Sequence, residues 1–234
     1  MTERARTKRL LRLAGTAVTA LTLLAVYGSV LRPWFLRWGA TDSECLQQFP
    51  GDELTPHRAA QATRAITIHA SAAQVWPWIV QIGQDQGGFY SYTWLENLVG
   101  CKMRNADRIR PDFQSRKVGD TVWLTPKERY GGRARVVVVQ LTANQAMILS
   151  SPEDAEVVAR SGRAPNGTWG FVLQPINEES TRLIVCSRDG DGQGLFGRLF
   201  RWFIFDPAHF IMERKMLLGI KRRAEASATD GRVG

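Results

Sequence analysis

Asp206, His209 and Glu213 stand three and four positions apart, the spacing at which side chains meet on one face of a helix. An imidazole between two carboxylates is the arrangement of a general base tuned by a neighbouring anion, although a histidine that merely satisfies its own helix has the same pattern. His57 and His69 have no such neighbours in the sequence. Asp107 and Arg108, just after Asn105, offer an acid and a cation for the mouth of a cavity. The plainer reading of that pair is a solvated ion pair on a surface turn.

The richest cluster is Phe89-Tyr90-Ser91-Tyr92-Thr93-Trp94 with Glu96 and Asn97, preceded by Gln81 and Gln84. A small-molecule pocket is mostly apolar and needs a few polar groups to orient what it holds. Tyr and Trp bring both a ring and a polar tip. Tyr90, Tyr92, Trp94, Glu96, Asn97 and Gln84 are therefore the first candidates for ligand contact; the alternative is that the rings cap a core where short helices meet a sheet. Trp123, Trp169 and Phe171 fall on strand-like segments, where one face lines either a solid core or a cavity.

Other motifs fail on context. Gly192-Gln193-Gly194-Leu195-Phe196-Gly197 has the G-x-G-x-x-G spacing, but no strand follows its helix to complete a dinucleotide-binding unit, so it reads as a turn before a helix. Asp189-Gly190-Asp191-Gly192 begins like a calcium loop, yet position twelve is Phe200 instead of a bidentate Glu. Cys45, Cys101 and Cys186 are odd in number and widely spaced, which gives neither a disulfide framework nor a zinc site. The sequence contains no phosphate-binding P-loop, nucleophile elbow or H-E-x-x-H zinc motif. The expectation is a protein without metal or cofactor.

These residues must be positioned by a recognisable series of elements. Thr63 to His69 alternates as a strand with Ile66 and Ile68 on one face, and Ser71 with Gln74 forms a capping box for a helix whose Val75, Trp78, Ile79 and Ile82 share a face. Pro77 makes that helix short or bent. A second short helix spans Tyr92 to Val99, ended by Gly100. Strands follow near Asp120 to Leu124, Ala134 to Leu141 and Ala146 to Ser150, then Thr168 to Gln174 and Thr181 to Arg188. Ser151 to Asn166 reads as a loop with one helical turn. Leu195 to Ala226 is helical in period, with a kink expected at Pro207.

The net charge of +9 is concentrated at the start: residues 1–40 carry +6, leaving +3 for the rest. That basicity flanks an apolar segment and does not form a face for tracking phosphates, which argues against a nucleic-acid partner. Leu13 to Leu31 is nineteen residues without a charge, about 28 Å of helix at ~1.5 Å per residue. It reads as a single-pass membrane anchor, with a cleaved signal peptide as the rival. Five Lys or Arg before it and two after favour a cytoplasmic N-terminus and an extracytoplasmic domain. Trp34 and Trp38 stand where indole rings favour the headgroup level.

The segments Ala62 to Gly100, Asn105-Ala106-Asp107-Arg108-Ile109, Gly119-Asp120-Thr121-Val122 and His209-Phe210-Ile211-Met212-Glu213-Arg214 resemble those of the SRPBCC superfamily, which unites START, polyketide-cyclase and Bet v 1-like proteins. The resemblance covers about Thr63 to Glu225. It implies an α+β helix-grip fold, an antiparallel sheet curled around a long C-terminal helix, with a cavity for a lipid, sterol or polyketide-like molecule and sometimes cyclase or dehydratase chemistry. No family set of chemical residues maps onto this sequence. The expected organisation is a basic segment and anchor over 1–38, a linker over 39–62, a helix-grip domain over 63–226 and a disordered tail over 227–234.

Overall fold

Among the described residues, alternating apolar side chains build six strands, all paired antiparallel: β1 (Ala60–Ile68), β2 (Thr121–Trp123), β3 (Arg135–Thr142), β4 (Ala146–Ser150), β5 (Gly167–Asn177) and β6 (Ser180–Asp189). The computed structural model describes residues 3–55, 60–162, 167–189 and 194–230. The sheet order is β1-β6-β5-β4-β3-β2, so the first strand closes against the last and only the hairpins are sequential neighbours. His57, Gly192 with Gln193, and Gly190 to Gly192 of the calcium-like loop lie outside the described residues.

Ahead of the sheet come α1 (Glu3–Val26), a π-wound turn (Tyr27–Leu31), α2 (Arg32–Leu36) and α3 (Asp42–Leu46). The stretch Leu11–Leu36 is long and apolar enough to cross a membrane, and none of its most apolar window is buried within the protein. After β1 come α4 (Ala72–Val80), nine residues with Pro77 inside it, and α5 (Thr93–Leu98). The Ser71 N–H donates to Gln74 Oε1 at 2.9 Å, the reciprocal half of the capping box.

Two helices correct the sequence reading. The stretch after β4, expected as a loop, forms the ten-residue α6 (Pro152–Ser161). Its Ser151 hydroxyl accepts from the Asp154 N–H at 3.0 Å, Pro152 fits the first turn, and Gly162 ends it at φ +70°. The linker residues form α3 through a second capping box, with Thr41 N–H donating to Glu44 Oε2 at 2.7 Å. The C-terminal helix is α7 (Leu195–Phe200), a π-wound turn (Arg201–Phe205) and α8 (Asp206–Asp230). Pro207 has no N–H to offer the carbonyl four residues back, and the helix is π-wound just before it. Ala228 is buried in the core, so the helix continues four residues past the boundary at 226.

The sheet is covered on both faces. On the inner face, Val75, Trp78 and Ile79 of α4 and Leu217, Ile220 and Ala224 of α8 pack with Met147, Phe171, Leu173, Leu183 and Val185 in one core. On the outer face a smaller core joins Ala65, Ile148, Val172, Ile184 and Cys186 to Phe49, with Ala40 and Leu54 against it. The segment after α2 is thus folded onto the sheet, fixed by Arg182 Nε to Glu44 Oε1 at 2.6 Å and Arg188 Nε to Asp52 Oδ1 at 2.8 Å. Gly51 permits the approach: at φ +94°, a Cβ there would meet Ile148 Cγ2 at 2.8 Å. Phe49→Ala is expected to destabilise the domain by about 3 kcal/mol in urea unfolding, a core-sized loss for a residue that precedes the sheet.

Candidate functional site

A cavity of about 450 Å³ lies between the sheet and α8. Its floor is set by strand register. Leu149, Trp169, Ser187 and Ala62 are direct cross-strand partners and form one row across β4, β5, β6 and β1, and all four line the space. Two residues farther along, the row reads Met147, Phe171, Val185 and Arg64. Next come Leu173, Leu183 and Ile66, which belong to the packed core. The interior is therefore solid at one end and hollow at the other, where small Ala62 and Ser187 replace branched side chains. The opposite wall comes from His209, Met212, Glu213 and Met216 of α8, and Phe89, Ser91, Glu96 and Met103 close the side.

The walls carry a buried polar cluster. Arg64 pairs with Glu213, their side chains 0% and 1% exposed. Arg64 Nε donates to the Phe35 carbonyl at 2.7 Å, and Trp169 Nε1 donates to Glu213 Oε1 at 2.9 Å. His209 Nδ1 stands 3.4 Å from Arg64 Nη1, with its Nε2 3.5 Å from Glu213 Oε1. Burial pushes the imidazole below its ordinary range, and the Glu213 anion offsets this only in part. Three buried polar atoms on the cavity's lining residues lack a hydrogen-bond partner among the described residues: Arg64 Nη2, Glu96 Oε2 and Ser187 Oγ. Leaving a buried donor or acceptor unpaired costs about 1–3 kcal/mol, so each is a place where a bound polar group would be favoured.

Neither a family model nor a curated protein sequence matches the chain. Solved structures do. The Aha1 dimer from Colwellia psychrerythraea is 15% identical over 71% of this chain and 96% of that one, with a TM-score of 0.38. A polyketide_cyc-like protein from Corynebacterium glutamicum is 19% identical over 76% and 94%, with a TM-score of 0.32. CalC, a self-sacrificing resistance protein from Micromonospora echinospora, is 8% identical over 73% and 97%, with a TM-score of 0.44. With identities below 20% and TM-scores below 0.5, these likenesses carry no family or role over to this chain. Within this chain, a six-stranded antiparallel sheet follows the helix-grip order, with two short helices after its first strand and a long final helix across its inner face. The fold is an α+β helix grip.

This fold brings only part of the sequence-derived set together. Glu96, Trp169 and His209 line the cavity. Phe171 packs just behind Trp169, ring centroids 4.8 Å apart, within the core. Tyr90 is buried but faces elsewhere: its hydroxyl accepts from Gln81 Nε2 at 2.9 Å, its ring meets Trp78, and burial raises its phenol pKa. Gln81 is a structural hub that also accepts from the Arg110 N–H at 3.1 Å. Tyr92 lies under Lys215, and Trp94 is 63% exposed. Asn97 ties down a loop through the Met103 carbonyl at 3.2 Å. Gln84 is in a surface loop, and Trp123 sits on the edge strand beneath Arg135 and Lys127. Asp107 is an exposed partner of Arg223 at 3.1 Å, as a surface turn would have it. His69 bonds through its N–H to Glu225 Oε1 at 2.8 Å, away from the cavity.

Glu96 gives the site a pH signature. Burial raises its carboxyl to about 7. A carboxyl that binds its proton more tightly folded than unfolded contributes stability that is complete below its unfolded pKa, about 4.5, and is lost as pH rises through its folded one, about 7. Urea midpoints are therefore expected to fall between about pH 5 and 8 in the parent protein and to change less in Glu96→Gln.

Proposed function

We propose that the cavity binds an amphiphilic small molecule of lipid or polyketide-like character, and that the N-terminal helix anchors the domain to a membrane where such molecules partition. The supporting observation is the combination of mainly apolar walls, among them Phe89, Met103, Leu149, Met212 and Met216, with three unpartnered buried polar atoms. An arginine Nη2, a hydroxyl and a carboxyl that is protonated below about pH 7 are all donors, which suits a ligand whose polar end carries carbonyl or carboxylate oxygens. Burying its apolar remainder supplies roughly 25 cal/mol per Å².

The test is native mass spectrometry of the detergent-extracted full chain, together with photocapture of a diazirine-bearing palmitate in micelles. One bound molecule per chain, and crosslinks on Phe89, Met212 or Met216, are the expected results. An empty protein that captures no probe would overturn the reading.

A second reading is enzymatic, a cyclase or dehydratase reaction in the same cavity. It is favoured by Glu96, whose raised pKa lets it exchange a proton near neutrality beside a bound molecule. Turnover of a polyketide-like substrate that disappears in Glu96→Gln, with binding retained, would support it. Undiminished turnover in that variant would remove Glu96 from the chemistry.

A further inference from the structure

The segment just before α8 presents a run of large apolar side chains to the outside. Leu195, Phe196, Leu199, Phe200, Trp202 and Phe203 are between 40% and 84% exposed. Soluble proteins seldom leave so contiguous an apolar patch uncovered.

This patch is not separate from the N-terminal span. Tyr27 stacks on Phe203 with centroids 5.4 Å apart, and its hydroxyl donates to the Trp202 carbonyl. Gly28 lies so close that a Cβ there would be 3.5 Å from the Trp202 ring, and Arg32 sits 4.6 Å above that ring. Tyr27 and Gly28 belong to the apolar stretch Leu11–Leu36. About 20 helical residues cross the hydrocarbon, so a span beginning at Leu11 reaches its far edge near Val30. Side chains that touch Tyr27 and Gly28 stand at the same depth, with Trp34 and Trp202 at the level where indole rings concentrate.

The same two segments line the cavity. Arg32 and Leu36 line it from one side, and Arg201, Phe205 and Asp206 from the other. Asp206 holds the two sides together, with its Oδ2 2.8 Å from Arg32 Nη2 and its Oδ1 3.5 Å from Arg201 Nε.

We propose that Leu195–Phe205 is embedded in the membrane surface beside the span, and that the cavity opens between them into the lipid leaflet, so that its ligand is a bilayer-resident amphiphile taken up without crossing water. This inference rests on the reading of Leu11–Leu36 as a membrane span and of the cavity as a ligand site. The mouth combines apolar side chains for a tail with arginines at headgroup level for an anionic end.

The experiment uses the full chain in phosphatidylcholine and phosphatidylglycerol vesicles. In a Cys45→Ser background, an environment-sensitive NBD fluorophore is placed by Phe200→Cys, the remaining Cys101 and Cys186 being buried. Blue-shifted emission quenched several-fold by shallow doxyl lipids is expected. Water-like emission, or shielding without doxyl quenching and with crosslinking to a second copy, would overturn the proposal. In a parallel arm, diazirine palmitate is loaded into the vesicles. Phe196→Glu with Phe200→Glu, neither of which lines the cavity, is expected to slow capture about tenfold or more from vesicles and to leave capture in micelles unchanged. Equal rates from vesicles would sink the portal alone, whereas a parent protein that captures nothing in micelles would sink the ligand site on which it depends.

Discussion

Glu213→Ala is expected to destabilise the domain by about 3–5 kcal/mol, whereas the paired exchange Arg64→Met with Glu213→Leu is expected to be close to neutral. The asymmetry follows from burial. Neither charge of this pair reaches solvent, so removing the carboxylate leaves a guanidinium with the Phe35 carbonyl, the His209 imidazole and the Phe210 ring as partners, none of them an anion. Removing both takes away the need to desolvate either ion, and the apolar replacements fill similar volume. Trp169 Nε1 would lose its acceptor in both variants, which keeps the double exchange from being strongly stabilising. Urea unfolding of the three proteins checks this, and a single variant costing under about 1 kcal/mol would show that the pair is not the buried ion pair described. The double variant also separates fold from function: folded, yet without the unpartnered Arg64 Nη2, it should hold an acidic amphiphile more weakly than the parent does.

Much of the fold was legible because its signals are local. The alternation at Ile66 and Ile68, the Val-rich strands and the Ser71 capping box need no knowledge of distant residues, and all six strands fall where the period placed them to within a few residues. The missed helices were also signalled locally. Ser151-Pro152-Glu153-Asp154 is an N-cap, a first-turn proline and two acids, and Thr41-x-x-Glu44 is a capping box; both were hidden by the polar, loop-like composition around them. The outer core was not legible, because nothing near Phe49 announces that it will cover Ile148 and Ile184.

The site was legible only in part, for a different reason. Glu96, Trp169 and His209 were singled out by type, but the group that organises the cavity is a contact between residues 149 positions apart. Glu213 was already marked by its spacing from His209, and the trace of its partner is that Arg64 is in phase with Ile66 and Ile68, a charge on the face that must be buried. Conversely, reading residues 89 to 97 as one cluster failed where the backbone turns. Tyr90 adopts φ +56°, so Phe89 and Ser91 line the cavity while Tyr90 packs against Trp78 and α8. The close approach there needs Gly219, since a Cβ on it would meet the Tyr90 carbonyl oxygen at 2.4 Å.

Filling the hollow tests whether it is a vacancy kept for a ligand. Ser187→Phe should leave the domain as stable as the parent or more so by about 1–2 kcal/mol, while ligand capture falls by roughly a hundredfold or more. Ser187 lies in the cavity's floor between Trp169 and Ala62, and its buried hydroxyl has no partner, so exchanging it relieves an unmet polar group. A phenyl ring placed there has the small Ala62 side chain on one flank and can stack near Trp169, adding apolar contacts without displacing the packed rows at Val185 and Leu183. A core selected only for stability would already carry a large residue at this position. The neighbouring rows show that the sheet accepts them, so a ligand site over Ala62 and Ser187 predicts that a larger residue there is tolerated by the fold. Thermal unfolding together with photocapture in micelles decides the matter: a variant that is destabilised, or that still captures the probe at the parent's level, would mean that the hollow is not where the molecule binds.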